Sequence, residues 1–144
     1  MYRKPQPSVI SWPMNTLKMG YDNSTTRNDY ASPERSEVIV FHSPSKWRIH
    51  FEASKATSKL MVIYFTAIWC GPCKFMEPAV HDLADHFPDV EFIQIDVDEL
   101  MNVAEEFGVR TMPTFLLLKK GVAVDKIVGT KKEDLQIKIE KHIA

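Results

Sequence analysis

The chain has 144 residues, 44% of them apolar and 26% charged. That is the make-up of one ordinary globular domain with room for a tail, and it argues against a wholly disordered or fibrous protein. The balance of 18 Lys+Arg against 19 Asp+Glu leaves a net charge of −1, too little positive field to hold nucleic acid or an anionic membrane. No apolar stretch approaches the roughly 20 residues of a bilayer-spanning helix, so no stable membrane span is expected.

Residues 1–36 hold Pro5, Pro7, Pro13 and Pro33 among Ser, Thr and Asn, with five Lys+Arg against three Asp+Glu. No helical or strand period persists, and such a composition buries too little surface to offset its ordering entropy. The segment is predicted to be a disordered extension, with an artefactual leader as the plain alternative. It has no apolar run of the roughly 7–15 residues that a secretion signal uses, and too little Arg for a mitochondrial one. A cytoplasmic location is therefore expected. Met19-Gly20-Tyr21-Asp22-Asn23-Ser24 fits the N-myristoylation pattern if translation starts at Met19, which would put a lipid on Gly20 and the chain at a membrane. Chance occurrence is the simpler reading of that run.

Residues 37–144 carry the remaining 13 basic and 16 acidic side chains and alternate strand and helix patterns. Val38–Phe41 reads as a short strand. Ser43-Pro44 offers a cap and a first-turn proline, with Trp47 and Phe51 following at i, i+4. Leu60–Phe65 reads as a strand buried on both faces apart from the Tyr64 hydroxyl. From Cys73 to Phe87 the period is helical, with Met76, Ala79, Val80, Leu83, Ala84 and Phe87 at steps of three and four. Pro78 lies inside that helix and should kink it. Val90–Val97 is the next strand. Leu100, Val103, Ala104 and Phe107 form another stripe, which Gly108 should end. Thr114–Leu118 and Ala123–Val128 flank Lys119-Lys120-Gly121-Val122 as a hairpin, and a last helix carries Leu135, Ile139 and Ile143 on one side. The order β-α-β-α-β-α-β-β-α predicts an α/β fold: a central mixed sheet with helices on both faces.

The chain has two cysteines, Cys70 and Cys73. A disulfide across so short a loop constrains the unfolded chain little, so the pair points to chemistry rather than stapling. Trp69-Cys70-Gly71-Pro72-Cys73 follows a buried strand and opens a helix. Cys70 then sits where free N–H groups and the helix dipole favour a thiolate. Cys73, one turn on, should be more buried and placed to attack a mixed disulfide formed at Cys70. Gly71 permits the tight turn and Pro72 suits a first helical turn. Half of a zinc site is the competing reading, but zinc wants four ligands and there is no second cysteine pair.

Phe65-Thr66-Ala67-Ile68-Trp69-Cys70-Gly71-Pro72-Cys73-Lys74 resembles the active-site run of thioredoxins. Met112-Pro113-Thr114-Phe115 resembles that family's cis-proline segment, and Gly129 falls where the family keeps a glycine after its last strand. The wording of both runs is most similar to plant h-type thioredoxins. The resemblance covers residues 38–143 and implies a thioredoxin fold, with a central mixed five-stranded sheet flanked by four helices. It implies a protein-disulfide reductase that works through a redox-active Cys70–Cys73 disulfide, binds no cofactor or metal, acts on disulfide-containing target proteins, and is recharged by an NADPH-dependent thioredoxin reductase. It further implies that Pro113 is cis and faces Cys70. The Met112 backbone would then pair with an extended target segment, and Trp69 would cover the site. Met112 as plain packing is the competing reading. The Gly-Pro between the cysteines is similar to the strongly reducing members rather than to oxidising isomerases.

Two positions depart from the family pattern. Where most thioredoxins carry a buried Asp six residues before the first cysteine, this chain has Tyr64. Where they often carry a Lys on the neighbouring strand, it has Gln94. Losing both charges together avoids a lone buried charge. Tyr64 is a poor base near neutrality, so Cys73 is expected to resolve mixed disulfides more slowly than in an Asp-bearing relative, unless water or a nearby carboxylate serves instead. A non-catalytic module that holds partners through Trp69 and Met112 is the alternative function; it would not require Cys73.

Overall fold

The structure is a computed structural model that describes residues 37–144. The expectations for residues 1–36, including the Met19-Gly20 start, lie outside the described residues.

The elements follow the expected order: β1 (Val38–Phe41), α1 (Pro44–Ser54), β2 (Met61–Thr66), α2 (Gly71–His86), β3 (Glu91–Asp96), α3 (Met101–Glu106), β4 (Thr114–Lys119), β5 (Val122–Val128) and α4 (Lys132–Ile143). The strands lie in the order β1-β3-β2-β4-β5, with β1, β3 and β2 parallel and β4 and β5 antiparallel to their neighbours. This is the mixed five-stranded sheet with four helices.

Alternation along the strands divides the core into two. Val62 and Tyr64 of β2, Phe92 of β3, and Phe115 and Leu117 of β4 face α2 and α4, whose Met76, Val80, Leu83, Leu135 and Ile139 pack on them. Met61, Ile63 and Phe65, with Ile93 and Ile95, face Trp47 and Phe51 of α1 and Val103 and Ala104 of α3. β2 is central, so all six of its residues are buried.

Local chemistry sets the element boundaries. Ser43 Oγ accepts from the Lys46 amide at 3.3 Å, and Pro44 occupies the first turn of α1. α2 begins at Gly71 rather than at Cys73, because Cys70 itself caps it: its Sγ accepts from the Cys73 amide at 3.1 Å. The hairpin loop is two residues rather than four. Lys120 and Gly121 take φ of 53° and 81°, the left-handed pair that fits the twist of a two-residue hairpin and asks for glycine. Ile143 departs from the expected stripe: it is 46% exposed in the last turn of α4, where Leu135 and Ile139 are fully buried.

Candidate functional site

β2 runs parallel to β3 and delivers the chain to the C-terminal edge of the sheet, where α2 turns back. Cys70 and Cys73 sit at that turn and are joined as a disulfide, their Cα atoms 5.3 Å apart. The turn is held at its start by the Cys70 amide donating to the Ala67 carbonyl at 3.1 Å. Both sulfurs are nearly covered, Cys73 more so than Cys70. Gly71 and Pro72 are exposed beside them, and Ile68, Trp69 and Phe75 present apolar side chains to solvent around the turn.

Trp69 is 66% exposed, which rules out a core role. Its indole N–H donates to Asp98 Oδ2 at 2.8 Å. Asp98 is held in turn, because its amide and that of Glu99 donate to Asp96 Oδ1 at 2.8 and 3.3 Å. The turn after β3 thus fixes the indole. Asp98 belongs to no motif; its one signal in the sequence is the Asp96-Val97-Asp98 run leaving a strand parallel to β2.

The Met112–Pro113 peptide is cis. Pro113 is buried, and its carbonyl accepts from the Gly129 amide at 2.9 Å. Gly129 has φ of 103°, a conformation that strains any side chain, which accounts for a glycine at this anchor. Thr114 is buried, and its hydroxyl donates to the Thr111 carbonyl across the same loop. Met112 is half-buried and packs against the cluster that contains both cysteines. Its side chain therefore has a packing role.

Beneath the disulfide lies Tyr64, 1% exposed and stacked on Phe115 with ring centroids 5.1 Å apart. Its hydroxyl donates to the Cys73 carbonyl at 2.8 Å. Gln94 is its register partner on β3, so the two uncharged replacements are neighbours in space. Burial pushes the phenol up, a hydrogen bond with Thr66 opposes this, and the charge of Glu77 adds to it, leaving the pKa raised to about 12. Tyr64 is therefore a neutral donor that ties the first turn of α2 to the sheet, and it is no base at neutral pH. Among the described residues, no group of three or more His, Cys, Asp or Glu side chains is arranged to hold a metal. Nor is any helix there long and apolar enough to cross a membrane.

A disulfide at a helix N-terminus, beside a cis-proline loop on a mixed sheet, defines a thiol–disulfide exchange protein. The chain belongs to the thioredoxin family, whose model matches residues 39–141. It is 49% identical over 108 residues to thioredoxin H2 of Arabidopsis thaliana, covering 75% of this chain and 81% of that one. It is 46% identical over 117 residues to thioredoxin H-type 1 of Nicotiana tabacum, covering 81% and 93%. Among solved structures, the thioredoxin NaTrxh of Nicotiana alata superposes with a TM-score of 0.73 at 52% identity, covering 80% of this chain and 98% of that one. A poplar thioredoxin h, PtTrxh4, does so with a TM-score of 0.69 at 33% identity, covering 74% and 96%. The chain is thus a protein-disulfide oxidoreductase of the thioredoxin type, similar to plant h-type members. Such proteins work through their own cysteine pair without a bound cofactor.

Proposed function

We propose that Cys70 is the attacking thiol and Cys73 the resolving one in the reduction of target-protein disulfides. Cys70 Sγ, as thiolate, attacks one sulfur of a target disulfide, and the other target sulfur leaves with the electron pair. Cys73 then attacks Cys70 Sγ, forms the Cys70–Cys73 bond and releases the second target thiolate. A flavin- and NADPH-dependent thioredoxin reductase returns the pair to dithiols. The observation that carries this reading is the asymmetry of the pair. Cys70 caps α2 at the rim beside exposed Trp69, whereas Cys73 lies deeper, over Tyr64.

An extended target segment would lie between the fixed Trp69 indole and the loop at Pro113, pairing with the Met112 backbone as an added strand. Gly71 and Pro72, small and exposed, put no bulky side chain between Cys70 and such a segment. The Cys73→Ser variant of the full chain should trap targets as mixed disulfides on Cys70, visible as reductant-sensitive adducts in intact-mass analysis. Adducts on Cys73 in a Cys70→Ser variant at the same rate would overturn the assignment.

We also propose a cytoplasmic site of action, since a reductase of this kind works where an NADPH-driven supply keeps thiols reduced. A native form that starts at Gly20 with a lipid mass would move it to a membrane.

A further inference from the structure

The resolving step needs Cys73 as a thiolate, and the side chain directly beneath it cannot make one. Tyr64 spends its proton on the Cys73 carbonyl. The row of residues facing α2 across the sheet at this level is Val40, Gln94, Tyr64 and Phe115, in which Tyr64 is the one titratable group. Asp96, at the end of β3 on the same face, accepts from the Asp98 and Glu99 amides, and Asp98, on the rim, accepts from Trp69. α4 meets α2 through Leu135 and Ile139 and through the Lys132–Asp82 pair at 3.9 Å, nearer the other end of α2. The titratable groups of α2 itself near Cys73 are Lys74, which is exposed, Glu77, and His81 one turn further on.

Glu77 differs from the others in position. It is four residues after Cys73 on α2, so the two share a helix face with Cβ atoms about 5–6 Å apart. Helical side chains lean toward the N-terminus and cover the turn before their own Cα, which for Glu77 is the turn that starts at Cys73. The residue is half-buried, and its charge reaches the Tyr64 phenol, which is itself bonded to the Cys73 carbonyl. Glu77 thus lies one helical turn from Cys73 and within electrostatic reach of the phenol that holds the Cys73 carbonyl.

We propose that Glu77 is the proton acceptor for Cys73 in the resolving step, with Tyr64 as the positioning residue that holds the first turn of α2 over it. The inference rests on Cys73 being the resolving thiol. The Glu77 carboxylate takes the Sγ proton of Cys73, directly or through water. The thiolate attacks Cys70 Sγ of the mixed disulfide, the Cys70–Cys73 bond forms, and the Cys70–target bond breaks. The target sulfur leaves with the electron pair and is reprotonated by Glu77 or by solvent. No external oxidant or reductant enters this step. A carboxylate delivered from the helix thus takes the task that a strand carboxylate at position 64 would have.

The test is the pH–rate profile of target release from a preformed mixed disulfide on Cys70 of the full chain. Glu77→Gln is expected to slow release at least tenfold at pH 7. This is below the usual range for general-base catalysis because a thiol is already a few per cent ionised there. The rate should recover as pH rises and the thiol ionises unaided, and attack by Cys70 on a fresh target should be unchanged. Glu77→Asp should restore part of the rate. Adding Tyr64→Asp to Glu77→Gln should restore most of it, a larger factor than Tyr64→Asp gives in the parent, whereas a merely structural fault at Glu77 would leave the two factors equal. A Glu77→Gln profile that overlays the parent's at every pH overturns the proposal. Release that persists in Cys73→Ser overturns the assignment of the resolving thiol beneath it.

Discussion

The two faces of the sheet are built from the same strands and do different work. The face toward α1 and α3 is wholly apolar, aliphatic side chains around a group of aromatic rings: Trp47 packs on Phe51 and Phe107 with centroids 5.5 and 6.5 Å apart, and Phe65 lies 6.3 Å from Phe107. The face toward α2 and α4 has an aliphatic centre, but at one end it accommodates a disulfide, a tyrosine hydroxyl and a half-buried methionine. That polar content is tolerated because the hydroxyl is hydrogen-bonded and the sulfurs are paired. One face holds the scaffold rigid, so that the other can keep a reactive pair at its rim. Substitutions on the two faces should therefore separate stability from chemistry.

Four experiments press on that separation. Cys70→Ser should abolish disulfide reduction while leaving the unfolding free energy of the reduced protein within about 0.5 kcal/mol of the parent, since Ser is near-isosteric and caps a helix as well. The coupled NADPH assay and urea unfolding measure the two. On the other face Trp47→Ala should do the reverse. It should cost about 3–5 kcal/mol in stability through the cavity it leaves, with the rate of the protein that remains folded within a factor of about two of the parent. A Trp47→Ala protein of normal stability would break the comparison.

Tyr64→Asp is the third. It should speed target release several-fold, because it adds a second carboxylate near Cys73 where a phenol whose pKa is about 12 accepts no proton. The same change should lower stability, because it buries a charge where Gln94 offers no counter-ion. Stopped-flow release from the mixed disulfide would show the first effect, and an unchanged or slower step would contradict it.

The smallest effect is expected at the far rim of the site face. There Asp125 of β5 pairs with Lys138 at 3.1 Å and His142 at 3.0 Å, both on α4. Burial pushes its carboxyl up. The bonds from His142, Lys138 and the Lys126 amide, together with the Lys138 charge, outweigh this and lower the pKa from 3.8 to about 2. A depressed folded pKa means that the stabilisation is present above pH 3.8 and fades as pH falls toward 2. Urea midpoints between pH 5 and pH 2 should fall less steeply in Asp125→Asn than in the parent.

Much of this organisation was legible in the residues. The strand and helix order follows from periods of two and of 3.6, and Trp69-Cys70-Gly71-Pro72-Cys73 with Met112-Pro113 marks the site. Four features were not, each for a physical reason. The apolar period of α2 starts only at Cys73, and although Cys70 and Pro72 mark the helix start, propensities do not assign a cysteine sulfur the capping bond it accepts. Asp98 under the indole and Asp125 under α4 join side chains 29 and 17 residues apart, and no local pattern reports such contacts. Tyr64 looked like a replacement for a base, whereas its position under α2 makes it a donor to the Cys73 backbone. The solvent end of a stripe is equally silent: Ile143 keeps the period of Leu135 and Ile139 but has no sheet left beneath it.

The proposed route of electrons to protein disulfides runs through Cys70 and then Cys73. The most direct measurement is NADPH consumption by the full chain with a thioredoxin reductase and a disulfide-bonded protein substrate. Sustained turnover is expected, and either Cys70→Ser or Cys73→Ser should abolish it. Turnover that survives the loss of Cys73, or a reduced parent protein that leaves the substrate disulfide intact, would contradict that route.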